Sequence, residues 1–570
     1  MTMTSNKFIQ ILVMAMALVP LSLMAQENTE PEKHHEEVTI IGTFDPSINE
    51  AFKINLKPEQ ELNDNNTKPV YTYEVLDIVY PTEIASDPIT PIVITPNKRT
   101  KSYNNTLLAG MGSLLTPYIE FFHSQGQRNQ NRFNAHIQHL SSFHNIKDYG
   151  KSPYSKTGLD LDYTHFLNNH ILSTAVGYQL NTNRYYGYKP DDFLTYNPTD
   201  DDLKQAFNLI EGKVGLASNY KNNKKLHHEI NLDASYYFDK HKSSESHANL
   251  HFNAFKEYEL SELLNYQHLG LTGDVSYYGS TNNIITSNST LITAMPYFKA
   301  NYGMFKFTAG LQFNFLNTNN FDFYFYPILH ASANLIDESL TAFAGIDGDV
   351  EYNGYQKLTT ENPWLNPDAG LGWDRGMRIF GGVRGNINHQ VNYSIQGTWK
   401  KFNNLYFFVN QAGPSPVFAP SLPQNQFTTL FDKGSRTGVD AEVTYTIQKN
   451  VKAWVGGHLY AYSLDSLAQP FHKPLSEFEL GLSFLVKEKL TIETELFGSG
   501  KRYAQDNSGF SSTDIELDPY VDLNLSLNYQ LNDQFAIWLS GTNLLNNQYQ
   551  RFYQYPVQGW QVMGGITYKF

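Results

Sequence analysis

The chain has no cysteine, which removes any disulfide framework, any thiolate metal site and any cysteine nucleophile. Positive charge is scarce as well: 42 Lys and Arg stand against 56 Asp and Glu, for a formal net charge of -14. No stretch gathers the cations into a basic patch, so nucleic acid is excluded as a partner. Long apolar runs are the third absence. Beyond the amino terminus no stretch reaches the ~18 apolar residues of a membrane helix, and an exported chain without one enters a bilayer only as a closed barrel.

Aromatic residues, by contrast, are abundant, at 14% of the chain with 38 Tyr and 37 Phe. A soluble core seldom needs so much Tyr, whereas the two interfacial girdles of a membrane barrel consume it. At the amino terminus Lys7 precedes an apolar run from Phe8 to Leu23, interrupted by Gln10 and Pro20, and Met24-Ala25-Gln26 supplies a small residue for cleavage. Residues 1–25 therefore read as a secretory signal. No cysteine follows the run, which excludes a lipid-anchored amino terminus.

Residues 26–103 are acidic and rich in proline, including Pro31, Pro46, Pro58, Pro69, Pro81, Pro88, Pro91 and Pro96. Their only β-prone pieces are short, such as Val38 to Ile41 and Ile92 to Thr95. Such a segment lacks the apolar mass for a core and is expected to be an extended periplasmic extension.

From Asn104 onward the texture changes to alternation. In Tyr520 to Leu531, the residues Val521, Leu523, Leu525, Leu527, Tyr529 and Leu531 share one face, while Asp522, Asn524, Ser526, Asn528 and Gln530 share the other. The same pattern runs through Phe305 to Phe315, Val439 to Ile447 and Phe478 to Phe484. A strand of this kind needs an apolar medium on one side and water on the other. Lys306, Gln312, Asp440, Glu442, Glu477, Glu479 and Asp522 are then expected to face a lumen.

The connections alternate between short and long. Tight turns are expected at 125–130, 168–169, 222–225, 337–339, 388–389, 448–450, 487–489 and 532–534. Long loops are expected at 141–156, 182–204, 351–375, 409–427, 502–517 and 548–558. In bacterial barrels the short turns are periplasmic and the long loops face outward. Up and down passes from Leu107 to Phe570 number about 22, which gives a lumen wide enough to hold a domain. The expected fold is all-β and transmembrane: a single antiparallel barrel over residues 104–570, without an independent plug domain. Both of its ends lie in the periplasm of a Gram-negative bacterium.

Gly541-Thr-Asn-Leu-Leu-Asn-Asn-Gln-Tyr549, Tyr555-Pro556, Gly559 and the closing Gly565-Ile-Thr-Tyr-Lys-Phe570 resemble the carboxy-terminal strands of TonB-dependent receptors. Trp560 stands where many members carry Arg. The resemblance implies an outer-membrane barrel that takes up a solute. It also implies that Val562, Gly564, Ile566, Tyr568 and Phe570 form the stripe read by the barrel assembly machinery. Glu37-Val-Thr-Ile-Ile-Gly42 resembles the stretch where such receptors carry the TonB box or enter the plug. Far fewer residues separate it from Asn104 than that plug occupies, so the resemblance is to a plug-less or plug-truncated member.

Glu37, Val38, Thr39, Ile40 and Ile41 form the candidate strand for a periplasmic TonB-like partner or an outer-membrane complex, because main-chain pairing tolerates loose sequence. No Ser and His or Asp and His signature points to catalysis, and no enzyme, cofactor or metal is expected. His34-His35, His136 with His139, and His227-His228 lack a carboxylate at supporting spacing and read as solvated or lumenal side chains. Asp191-Asp192 and Asp200 to Asp202 read as a solvated acidic loop, with divalent-ion contacts to lipopolysaccharide as the alternative. Tyr185-Tyr186, Trp364, Trp373 and the Pro-rich run 413–420 sit in loops suited to ligand stacking or to folding inward. An unfilled lumen of this girth would breach the membrane, so loops 351–375 and 409–427 are expected to close it. Two functions follow: solute uptake, or a non-transporting scaffold of an outer-membrane complex.

Overall fold

A computed structural model describes residues 103–127, 130–192, 197–222, 224–411, 425–448, 450–507 and 512–570. The expected signal, nearly all of the extension, the strand Glu37 to Ile41 and residues 412–424 of the loop 409–427 lie outside the described residues. Among the described residues no helix is long and apolar enough to cross a membrane.

Twenty-two strands form one antiparallel sheet that closes on itself. The first, Asn105–Gly112, pairs with both the second, Thr116–Gln127, and the last, Gln561–Lys569. At the seam the Phe570 N–H donates to the Asn105 carbonyl at 3.0 Å, and the Asn105 N–H donates to the Phe570 carbonyl at 3.0 Å. The expected strand number and antiparallel closure are both found.

Alternation divides each strand between two media. On Lys204–Ser218, Ile210 and Val214 are about half exposed on the outer face, whereas Gln205, Phe207 and Leu209 are buried on the inner one. On Tyr520–Gln530, Val521 and Tyr529 are exposed while Asp522 is buried. An outer surface carrying Val176, Leu232, Leu311, Val439, Ile537 and Ile566 in exposed positions suits hydrocarbon and not water.

The inner face is polar and held by cross-strand pairs. Glu120 meets His136 at 2.8 Å, Asp347 meets Arg378 at 2.6 Å, and Asp349 meets Lys400 at 3.0 Å. Asp440, Glu442, Glu477 and Glu479 line one inward recess, and Asp522 lines another. Lys306 and Gln312 share the face opposite the exposed Leu311. The lumenal positions read from alternation are therefore where they were expected.

The connections depart from the expected pattern in several places: at the long-loop end the links 113–115, 240–243, 282–285 and 318–320 are short, and a long link at 465–475 joins those expected. The stretch 502–517 contains a two-stranded ladder, Arg502–Asp506 with Thr513–Leu517, that buries Ala504 and Leu517. Within 548–558, Gln550–Phe552 pairs with Tyr555–Pro556. Two connections at the short-turn end were unmarked: the longer link 258–264 and the tight turn at Gly303, whose φ of 54 suits a residue without Cβ.

Candidate functional site

The link between Leu340–Asn353 and Gly372–Ile387 is long because it crosses the barrel mouth. Its first half is the helix Tyr355–Glu361, which starts after Gly354 and stops at Asn362, since Pro363 cannot continue a helix and disfavours one before it. The Tyr355 N–H donates to the Glu245 carboxylate at 2.5 Å, and the Tyr355 hydroxyl donates to Asp239 at 2.7 Å. The hydroxyls of Tyr237 and Thr359 meet at 2.7 Å. These bonds pin the helix to the seventh and eighth strands, His227–Asp239 and Ser244–Glu257.

The second half is fastened elsewhere. Trp364 Nε1 donates to the Arg184 carbonyl at 3.0 Å, and the Tyr185 hydroxyl donates to the Leu365 carbonyl at 3.2 Å. Phe427 N–H donates to the Trp364 carbonyl at 3.0 Å, and Asn366 N–H returns a bond to the Phe427 carbonyl at 2.7 Å. Backbone groups paired in this way let the link sit under other chain segments at lower cost.

One apolar cluster joins Phe207, Tyr237, Tyr355, Leu358, Leu365, Phe427, Phe552 and Tyr555. Phe207 belongs to the sixth strand and Phe427 opens the sixteenth, Phe427–Gln448, so they stand nearly opposite in a ring of 22. A cluster containing both must bridge the mouth. Trp364 stacks on Tyr555 with ring centroids 4.0 Å apart, and Tyr186 meets Tyr555 at 4.9 Å. Leu358, Leu365 and Phe427 are 0% exposed, and full burial of such a side chain stabilises by about 1.5–3 kcal/mol. The link is thus a packed cap and not a loose flap.

His472 supports the cap from the loop after the strand Val451–Leu464. Its Nδ1–H donates to the Phe408 carbonyl at 2.9 Å, and the Tyr553 N–H donates to its Nε2 at 3.2 Å, an arrangement that requires the neutral ring. Burial pushes its pKa down to about 4, aided by the Arg502 and Lys473 cations. Lys473 meets Glu361, the last residue of the cap helix, at 2.8 Å and lies 4.0 Å above the Tyr406 ring.

Beneath the cap lies a cavity of about 1000 Å³. Gln356, Thr360 and Trp364 form its roof, Gln138, Gln179 and Asn181 one wall, and Asp522, Asn524 and Tyr549 another.

Of the residues singled out in the sequence, Tyr185, Tyr186 and Trp364 meet in the cap, whereas Trp373 packs apart from it against Tyr278 and Tyr352. Asp200 and Asp201 pair with Arg184 and Lys240, and Asp202 caps its own short helix through Thr199. His136 bonds Glu120 while His139 bonds Thr157, and His227 stacks on Phe255 while His228 lies against His170, so neither pair forms a joint site. Val562, Gly564, Ile566 and Tyr568 fall on the last strand, with Tyr568 stacked between Phe535 and Phe570. Phe207, Leu358, His472 and Phe552 carry the cap without any local signal in the sequence, because their partners lie far along the chain.

No protein-family model matches the chain, and a search of curated proteins finds no match either. Among solved structures, the chain is similar to the pyoverdine outer membrane receptor FpvA of Pseudomonas aeruginosa, with a TM-score of 0.60, 14% identity, and 83% of this chain and 79% of that one covered. It is also similar to the siderophore receptor PirA of Acinetobacter baumannii, with a TM-score of 0.62, 10% identity, and 83% and 81% covered. A third match is the ferric-catecholate import receptor Fiu of E. coli K12, with a TM-score of 0.62, 10% identity, and 83% and 82% covered. The chain has the barrel fold of outer-membrane receptors.

Proposed function

We propose that this is an outer-membrane barrel of the uptake-receptor kind, admitting a solute from the cell surface through a mouth that its own loop 354–371 holds shut at rest. The observation that carries this reading is the cap itself: a packed roof joining nearly opposite strands over a large cavity, on a barrel of the import-receptor fold. The long connections then face outward among lipopolysaccharide and both barrel ends face the periplasm. There Glu37 to Ile41 would offer a strand to a TonB-like protein or a complex partner. The stripe ending at Phe570 would be the signal for the barrel assembly machinery. Binding and passage are the proposed tasks, with no catalytic step.

A second reading, a non-transporting scaffold, draws on how firmly the cap is fastened. Ser243 donates to the Pro367 carbonyl at 3.1 Å, and Asn283 donates to Asp368 from its backbone at 3.1 Å and from its side chain at 3.2 Å.

The absence of cysteine makes the decisive experiment simple. Asn283→Cys with Asp368→Cys would place the only thiols in the chain where those side chains already meet. If the cap must open, the oxidised variant should lose growth on whichever nutrient a deletion strain cannot use, and reductant should restore it. Growth that ignores the tether, together with stoichiometric partners on purification, would overturn uptake in favour of the scaffold. Removing Glu37 to Ile41 should abolish co-purification of any periplasmic partner. Undiminished recovery of that partner would remove the strand from its role.

A further inference from the structure

We infer that the cavity beneath the cap binds a neutral, polyhydroxylated ligand, a short oligosaccharide, which is the substrate class for the uptake reading on which this inference rests. The starting point is strand register. Antiparallel pairing sets lumenal side chains side by side in rows. One row runs Gln138, Gly158, Gln179, Leu209, and the next towards the mouth runs Leu140, Lys156, Asn181, Phe207. Gly158 carries no side chain between the two amides, which lets the Gln138 amide lie over it: a Cβ there would come within 3.0 Å of Gln138 Nε2.

These amides are not consumed by the fold. The side chains of Gln138, Gln179 and Asn181 line the cavity and have no hydrogen-bond partner among the described residues. Asn183 donates its Nδ2 to the Pro363 carbonyl at 3.0 Å, while its buried Oδ1 has no partner among those residues. An unpaired buried acceptor is costly, and a ligand hydroxyl would offset that cost. Each primary amide presents a donor and an acceptor together, the complement of two neighbouring hydroxyls, each of which also gives and takes a hydrogen bond.

The charge balance narrows the class. Of the charged lining groups, Arg184 is spoken for by Asp200, reached from Nε at 3.2 Å and Nη2 at 3.0 Å. Asp522 accepts from the Leu523 N–H at 2.7 Å. A strongly anionic ligand would find Lys156 alone against the desolvation of its charges, and a cationic one would find only Asp522, already hydrogen-bonded within the chain. Trp364, Tyr118 and Tyr549 add ring surface suited to the apolar faces of sugar rings. The volume, about 1000 Å³, is at the upper end for ligand pockets and suits several linked rings better than one.

The test uses the full-length protein in detergent and titrates maltohexaose, cellohexaose and an acidic oligogalacturonate of the same length by calorimetry. At least one neutral hexaose should bind and the acidic one should not. Gln138→Ala with Gln179→Ala should weaken the neutral ligand by about tenfold or more. The double variant should keep its thermal gel shift, because those amides hold nothing else. The inference is overturned if neither neutral hexaose binds, if the acidic one binds as well, or if the folded double variant binds like the parent. Failure here is separable from failure of uptake. Sugar binding with growth that ignores the cysteine tether would sink uptake alone, and a growth-blocking tether with no sugar binding would sink this inference alone.

Discussion

Trp538 lies across Gly565, its partner in the adjoining strand, and reaches over the seam to Gly110. A Cβ on Gly565 would come within 2.4 Å of the indole, and one on Gly110 within 2.5 Å. Tyr118, on the strand after that, meets the indole edge-on at 5.8 Å. One aromatic side chain thus covers two bare backbones where the last strand meets the first.

Gly110→Ala and Gly565→Ala should therefore each destabilise the closed barrel, by about 1–3 kcal/mol as overpacking does. Heat-modified mobility on gels, read as the temperature at which the compact band is lost, measures the effect. Trp538→Ala should rescue Gly110→Ala only in part, because the Gly564 carbonyl also lies 2.7 Å from the added carbon. Full rescue would place the whole conflict on the indole.

Leu358→Ala should act on the cap and leave the barrel wall alone. The side chain is 0% exposed, and truncating a buried Leu costs about 2–5 kcal/mol. Protease cleavage within 354–371 and conductance in planar bilayers should both rise, with the barrel's gel shift unchanged. A silent variant would mean that the cap is held chiefly by its polar bonds.

Acid should loosen the cap through His472. The free ring has its ordinary value of 6.5, against about 4 when buried. Between those values the opened state binds the extra proton, so closure is fully stabilised above about pH 6.5 and weakens as the pH falls towards about 4. His472→Gln keeps a donor and an acceptor but does not titrate. The difference in cap proteolysis between parent and variant should grow across that window, and a constant difference would refute the assignment.

Deleting Phe570 removes the two backbone bonds to Asn105 and the ring stacked on Tyr568 at 5.1 Å. Surface levels of the truncated protein should fall well below those of the parent. Equal levels would show that the stripe on the final strand suffices without its last member.

The barrel was legible because its rule is local. Val521 and Tyr529 face outward and Asp522 inward simply because side chains alternate along a strand, and turns such as 388–389 and 532–534 announce themselves in a few residues. The inward fold of loop 351–375 followed from the need to close a wide lumen, but its construction did not. Trp364 and Tyr555 stack although they lie 191 positions apart in the chain, and nothing near either residue names the other. The helix Tyr355–Glu361 was hidden because it is too short to show a period and is held by Asp239 and Glu245 of distant strands. The unforeseen ladder at Arg502–Asp506 likewise depends on its turn partner more than on its own composition.

The pairing of Asn105 with Phe570 has a consequence in time. Until the final strand arrives, both margins of the growing sheet expose unpaired N–H and C=O groups, ready to template any other extended chain. The contact that ends this hazard is among the most distant in sequence, and contacts of that kind form slowly. Every copy thus passes through an adhesive interval on its way to the membrane, and its yield in the cell will be set by how well that interval is chaperoned.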